Sequence, residues 1–247
     1  MNYQLIGNAL PGAEVAIILP TYREAENISN LIDDIESLKL DSTILVIDDS
    51  SPDKTADIVQ AKQGKYRNIL LCLRPSKSGL GTAITDGFKF FLKSAFPPKY
   101  IITMDADYSH NPKSIPQLLS AIRRADCGIV VGSRYIKGGH TVNWSLSRKM
   151  ISRGANFIAK FSLGLKPMDC TSGFRCYSTK FLKATIGNLH SHTYEIQIET
   201  IRQAHMRNFM VRETPILFVN RKSGKSKLSS TEIQSYLTYT LKSVLRL

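Results

Sequence analysis

The 247-residue sequence has no apolar run of the roughly 18–20 residues that a membrane-spanning helix needs. Its first 20 residues lack a basic segment followed by an apolar stretch, so no secretory signal is expected. Cysteine is sparse. Cys72, Cys127, Cys170 and Cys176 form no C-x-x-C pair, which argues against a disulfide framework and for buried, reduced thiols of the cytosolic kind. Acidic residues are scarce in the second half. Residues 1–130 carry 14 basic and 15 acidic side chains (net −1), whereas residues 131–247 carry 19 basic and 5 acidic (net +14). The whole formal charge of +13 therefore sits in the second half. It implies a polyanionic partner and leaves nucleic acid, anionic lipid and a phosphorylated substrate open. At 43% hydrophobic and 21% charged residues the chain is neither disordered nor fibrous, and its length fits one large domain with or without an extension.

What is present is a rhythm. Val15–Leu19, Ile44–Ile47, Asn68–Leu73, Tyr100–Met104 and Gly128–Val131 read as strands. Helical spacing separates them. It runs through Ile28, Leu31, Ile32, Ile35 and Leu38, then Thr55–Gln63, then Ala83 to Leu92, and last Ile115, Leu118, Leu119 and Ile122. This alternation predicts an α/β domain with a Rossmann-like, mostly parallel central sheet and helices on both faces. Beyond residue 132 the pattern is less regular, with a helix expected over Ser147–Phe161 and strands over Ser172–Tyr177 and Phe209–Val219. Arg221–Ser230 is Gly/Ser/Lys-rich and reads as an exposed, mobile loop. Thr231–Leu247 places Ile233, Tyr236, Leu237, Leu241, Val244 and Leu245 on one stripe, an amphipathic helix. The expected organisation is thus a domain over residues 1–230 and a terminal helix over 231–247.

In an open parallel sheet, ligands bind beyond the carboxyl ends of the strands. Here those ends run into Pro20-Thr21-Tyr22-Arg23-Glu24, Asp48-Asp49, Arg74 with Lys77, Asp105-Ala106-Asp107, and Ser133-Arg134. Five polar ends in succession would put two carboxylate pairs and several cations on one rim. The closely spaced Asp105 and Asp107 repel each other unless a divalent cation intervenes, and hard oxygen ligands suit Mg²⁺ or Mn²⁺. Two other motifs fail. Gly224-Lys225-Ser226 resembles the end of a P-loop, but Val219 occupies the required first glycine position. Gly79-Leu80-Gly81 has Ile84 at the third glycine of a dinucleotide fingerprint. His110 is the histidine nearest the rim and reads as a loop residue rather than a base.

Pro20–Glu24, Ile47-Asp48-Asp49-Ser50-Ser51-Pro52, Gly79–Ala83 and Asp105–Asp107 resemble the family 2 glycosyltransferases of GT-A fold. Further matches narrow the likeness: Gly132-Ser133-Arg134-Tyr135, Trp144 with Arg148, Ser152–Asn156, Asp169 with Thr171–Arg175, Gln197-Ile198-Glu199, Glu213–Ile216, Arg221 and Ser226–Leu228. Together they resemble the polyprenol-phosphate (dolichol-phosphate) mannosyltransferases over about residues 14–235. The resemblance implies that Pro20, Tyr22, Glu24, Ile47 and Asp49 hold the nucleoside of a nucleotide sugar. Asp105, Ala106 and Asp107 would meet the metal and the diphosphate, with both aspartates as metal ligands. Arg134, Arg221 and Lys227 would surround the diphosphate or the acceptor phosphate, and Arg148 with Ser152 would meet the acceptor phosphate. Asp107 and Arg134 are the residues it assigns to catalysis. Four positions depart from the family pattern. Ser50 and Lys54 stand where glycines are usual, Glu195 falls in a stretch that usually carries aromatics, and Ser109 stands where some members have a metal-binding Gln.

The implied reaction moves mannose from GDP-mannose to a polyprenyl monophosphate, with inversion. Such a phosphate has a second pKa of about 6, so it needs cations to approach a diphosphate rather than a base to activate it. A UDP-linked glucose or N-acetylhexosamine is the alternative donor. The resemblance places the protein at the cytoplasmic face of a membrane, the endoplasmic reticulum in a eukaryote or the inner membrane in a prokaryote. It would be held there by the terminal helix or by small membrane-spanning anchor subunits. A nucleic-acid partner, with Trp144 and Tyr135 as stacking residues, is the rival outside the enzyme class, and the acidic pairs oppose it.

Overall fold

The computed structural model describes residues 3–125, 127–220, 238–241 and 243. Its strands are β1 (Gln4–Gly7), β2 (Val15–Thr21), β3 (Ser42–Asp48), β4 (Ile69–Leu73), β5 (Tyr100–Thr103), β6 (Ile129–Ser133), β7 (His140–Val142), β8 (Arg175–Ser178), β9 (Val211–Pro215) and β10 (Leu217–Val219). The helices are α1 (Ala25–Glu36), α2 (Thr55–Gln63), α3 (Leu80–Leu92), α4 (Ile115–Ala125), α5 (Leu146–Leu163), α6 (Thr179–Thr185) and α7 (Ile196–Met206).

β2 and β3 are apolar along nearly their whole length because both of their faces are covered. Alternate residues feed two cores. Ile17, Leu19, Ile44 and Val46 pack with the inner stripes of α1, α2 and α4. Ala16, Ile18, Leu45 and Ile47 pack with α3, α6, α7 and Ala159 of α5. Among the described residues, eight strands form one sheet in the order β1-β4-β3-β2-β5-β8-β6-β9. β2 to β5 run parallel, with β3 and β4 on one side of β2 and β5 on the other. The strand order reverses at β2, which is where an open sheet parts to admit a ligand.

The second half differs from its sequence pattern in three ways. The strand expected at Ser172–Tyr177 is β8, and it runs antiparallel between β5 and β6. The single strand expected over Phe209–Val219 is two: β9 pairs with β6, and β10 leaves to pair with β7. Ile216, 3% exposed, anchors the break, and the backbones of Ser133 and His140 bond it on either side. β7, α6 and α7 carry no periodicity that marks them in the sequence, and neither does β1 in the first half. The expected loop Arg221–Ser230 lies outside the described residues. Of the terminal helix, residues 238–241 and 243 are described; they are helical, and Tyr239 packs against the second core.

Candidate active site

β2 and β3 end side by side, with Pro20 opposite Ile47 and Thr21 opposite Asp48. Asp48 is fully buried and accepts from the Thr21 hydroxyl (2.8 Å), the Ser51 N–H (2.8 Å) and the Ser51 hydroxyl (2.6 Å), so it clamps the turn. Asp49 accepts from Arg74 Nε (2.6 Å) and the Ser78 N–H (3.3 Å). Arg74 also donates to the Gly79 carbonyl (3.1 Å) and the Thr82 hydroxyl (2.8 Å), which ties the ends of β3 and β4 to the start of α3. Glu24 is buried and accepts from the Asn27 amide at 3.0 Å, while its N–H bonds the Thr55 hydroxyl at 3.0 Å. The half-buried Tyr22 ring has Lys77 and Arg23 at 4.8 and 5.5 Å. The side chains of Ile47 and Ala106 are buried in the cores, so contact with a ligand at either position falls to the main chain.

Ser50 and Lys54 take φ of +52° and +66°, the left-handed region in which glycine is unstrained. That accounts for the glycines usual there. Ser50 also donates its hydroxyl to the Arg74 carbonyl at 2.6 Å.

Gly79 and Gly81 serve packing rather than a dinucleotide. A Cβ on Gly79 would stand 2.3 Å from the His192 carbonyl oxygen, and one on Gly81 2.4 Å from that of Ser191. The N–H groups of residues 190–193 are in turn accepted by two buried carboxylates. Glu199 takes those of His190 and Ser191 at 3.0–3.1 Å. Glu195 takes those of His192 (2.9 Å) and Thr193 (3.0 Å) and also the Thr193 hydroxyl. Burial pushes the Glu195 pKa up, but these hydrogen bonds outweigh it and hold the carboxyl below its ordinary value. The charge in a stretch that usually carries aromatics thus staples the loop on which α3 begins.

β5 delivers Asp105, a third exposed, and Asp107, which is buried and accepts the Ser109 N–H at 3.0 Å. His110 lies in the loop after β5 and is 1% exposed. Its Nδ1 accepts the Asp105 N–H at 3.3 Å, which assigns the proton of the neutral ring to Nε2, and Phe174 and Phe218 lie 5.2 Å away. Burial lowers its pKa against the pull of Asp105 and Asp107. Opposite lies Gly173, whose Cβ would stand 3.3 and 3.8 Å from the two Asp105 oxygens and 3.5 Å from Gln197 Nε2. Gln197 is 2% exposed, and both ends of its amide lack a hydrogen-bond partner. Ser109 is buried, with its hydroxyl unpartnered.

The donor set fits a hard divalent cation: two carboxylates at the end of one strand, space kept by a glycine, and an unsatisfied amide beside it. Among the described residues no group of three or more His, Cys, Asp or Glu converges. Asp105 and Asp107 would hold such a cation, and the rest of its shell would come from oxygens outside these residues, as is usual for Mg²⁺.

Past β6, Arg134 is 8% exposed and grips Asp169 in a fork, with Nε to Oδ2 at 2.7 Å and Nη2 to Oδ1 at 2.6 Å. Burial alone would raise the Asp169 pKa; the Arg134 charge holds it below the ordinary value. Thr171 accepts a further Arg134 N–H at 2.7 Å. Glu213 of β9 fixes the loop by accepting the N–H groups of Met168 (2.8 Å) and Asp169 (3.0 Å). Trp144 lies 5.3 Å from Arg134 and 4.3 Å from Arg148, and Phe218 lies within 6 Å of both. Arg148 also donates to Asn220 at 2.6 Å, and Ser152 accepts from the Tyr135 hydroxyl at 2.6 Å. Trp144 is buried among these cations, not presented as an open stacking face.

The sheet thus brings the Pro20, Tyr22, Glu24, Ile47 and Asp49 positions together at β2–β3, Asp105 and Asp107 beside them at β5, and Arg134, Arg148 and Ser152 beyond β6. Arg221 and Lys227 lie outside the described residues. The sequence marks Arg74 only as a rim cation and Asp169, Asn156 and Glu213 only as motif positions; their partners lie elsewhere in the chain, as when Asn156 accepts the Cys170 N–H at 2.6 Å.

Solved structures share this fold at low identity. Glucosyl-3-phosphoglycerate synthase from Mycobacterium tuberculosis, in complex with Mn²⁺, UDP and glucosyl-3-phosphoglycerate, superposes with a TM-score of 0.67 at 16% identity, covering 95% of this chain and 80% of that one. A mannosyltransferase from Pyrobaculum calidifontis, in complex with GDP-Man and Mn²⁺, gives 0.60 at 12% identity, covering 98% and 66%. The fold is that of the GT-A glycosyltransferases. The family described as Glycosyl transferase family 2 matches residues 16–185, and the chain belongs to it. Among curated relatives, undecaprenyl-phosphate mannosyltransferase of Micrococcus luteus is 38% identical over 217 residues, 87% of each chain. Polyprenol monophosphomannose synthase of Mycolicibacterium smegmatis is 34% identical over 226 residues, 91% of this chain and 84% of that one.

Proposed function

We propose that this enzyme transfers mannose from GDP-mannose to a polyprenyl monophosphate at the cytoplasmic face of a membrane. The names and coverage of the two relatives support the acceptor class. The observation that carries the mechanism is the run of cations beyond β6. Arg134 is held rigid by Asp169, and Arg148 shares the Trp144 and Phe218 rings with it, next to the Asp105–Asp107 turn.

An acceptor phosphate is already anionic at neutral pH, so its oxygen can attack the anomeric carbon without a base. His110 fits that economy: its Nδ1 is engaged by the Asp105 N–H, and the ring supports the turn instead of taking a proton. Arg148 and Ser152 would position the acceptor phosphate, and Arg134 would offset repulsion between that phosphate and the donor diphosphate. The acceptor oxygen forms the new bond as the bond to GDP breaks, which inverts the anomeric centre to a β-linked mannosyl phosphate. Asp105 and Asp107 would hold Mg²⁺ or Mn²⁺, whose chemistry is that of a Lewis acid on the leaving diphosphate. Pro20, Tyr22, Glu24 and Asp49 would form the nucleoside end.

The test is transfer of radiolabelled mannose from GDP-mannose to polyprenyl phosphate with Mn²⁺ or Mg²⁺, run beside a thermal-shift panel of GDP- and UDP-sugars. No transfer from any common donor would end this reading. A melting-temperature rise with UDP-sugars alone would replace the donor.

A further inference from the structure

α5 turns an unusually apolar surface to solvent. Leu146, Met150, Phe157 and Phe161 are 78%, 73%, 68% and 82% exposed, and Ile151 and Ile158 join them at the surface. The rings of Phe157 and Phe161 stack at 6.1 Å. At about 100° per residue these six side chains span an arc of about 140°. The opposite side of the helix carries Arg148, Ser152, Asn156 and Ala159, of which the last two are buried. Lys149, Arg153 and Lys160 line one flank between the two faces. No Asp or Glu occurs anywhere in Leu146–Leu163.

An apolar arc of this size in water is costly and marks a surface that meets something. The charge pattern selects the occupant. A second copy packed through the same face would bring the three flanking cations of one helix toward those of the other, and α5 carries no carboxylate to separate them. A bilayer offers an acyl region to the arc and headgroup phosphates to the flank.

We propose that α5 is the surface by which the protein docks on an anionic lipid bilayer. Its apolar arc enters the interface and Lys149, Arg153 and Lys160 rest on headgroup phosphates. The inward face links this contact to the site. Ser152 accepts the Tyr135 hydroxyl, and Asn156 bonds Thr171 at 3.1 Å, the same hydroxyl that Arg134 reaches. Docking would thus set the lipid headgroup plane against Arg148 and Ser152. That consequence rests on the polyprenyl-phosphate reading, whereas the docking itself does not.

The test replaces exposed residues only: the triple variant Met150→Gln, Phe157→Gln and Phe161→Gln in the full chain. Sedimentation is measured with vesicles of phosphatidylcholine containing phosphatidylglycerol, and with phosphatidylcholine alone. The wild type is expected to sediment with the anionic vesicles. The variant is expected to partition at least ~10-fold less, with an unchanged melting temperature and circular dichroism spectrum. A variant that sediments like the wild type, or a wild type that stays in solution, overturns the proposal. So does light scattering that finds a wild-type dimer made monomeric by the substitutions, because the face would then be a self-interface. If docking behaves as expected but no sugar is transferred to polyprenyl phosphate, the docking stands and the acceptor reading falls.

Discussion

Asp169 has no exposed surface, and the Arg134 fork supplies the counter-charge that lets it stay ionised there. Removing one partner of such a buried pair typically costs about 3–5 kcal/mol, so Asp169→Asn should lower stability by an amount of that order. The pH dependence follows from the direction of the shift. A carboxyl held below its ordinary 3.8 stabilises the fold above that pH and loses its contribution as pH falls through the folded value. Melting curves of wild type and Asp169→Asn should therefore keep a constant gap from pH 7 down to about 4 and converge only in more acid solution; a gap that narrows already between pH 7 and 5 would refute the assignment. Gly173 gives a second prediction. A methyl there stands 3.3 Å from an Asp105 oxygen, so Gly173→Ala should cut kcat/KM for sugar transfer by roughly 10–100-fold with little change in melting temperature. Lys54 gives a third. Lys54→Gly should stabilise by about 0.5–1 kcal/mol in urea titration by relieving its left-handed φ, whereas Ser50→Gly should not, since it loses the bond to the Arg74 carbonyl.

Elements differ in how openly the sequence announces them. β2 to β6 and α1 to α4 are legible because sheet residues covered on both faces must be apolar and the covering helices need one apolar stripe. The rim follows: once those strands are placed, Asp49, Asp105, Asp107 and Arg134 fall at carboxyl ends. β8 and β10 are short and paired with strands far away in sequence, so their direction is set by partners no local pattern names. Glu195 is the clearest case. As a residue it looks like a misplaced charge, and only the N–H groups of His192 and Thr193 that it accepts give it a purpose. The start of α3 rests on that loop. Gly81→Ala would drive a methyl into the Ser191 carbonyl, at a cost of about 1–3 kcal/mol in denaturant titration.

For the whole molecule, the basic second half is less uniformly available than its count suggests. Arg134 is paired, and Arg175, fully buried, spends its guanidinium on the carbonyls of Cys170, Ser172 and Gln197. The thiols match their expected burial, and desolvation pushes Cys72 up to about 11 and Cys170 up to about 12. Both should resist iodoacetamide at pH 8 in the native protein and react once it is denatured, which mass spectrometry would read directly.

The antiparallel β8 has a consequence for synthesis. β5 and β6 are neighbours in the chain but not in the sheet, and the gap between them closes only when residues 175–178 arrive. Until then a nascent chain carries the edge of β5 unpaired, next to the finished carboxyl ends of β2 and β3. A ribosome that stalls in that interval displays an open strand edge, the feature that invites pairing with a wrong partner.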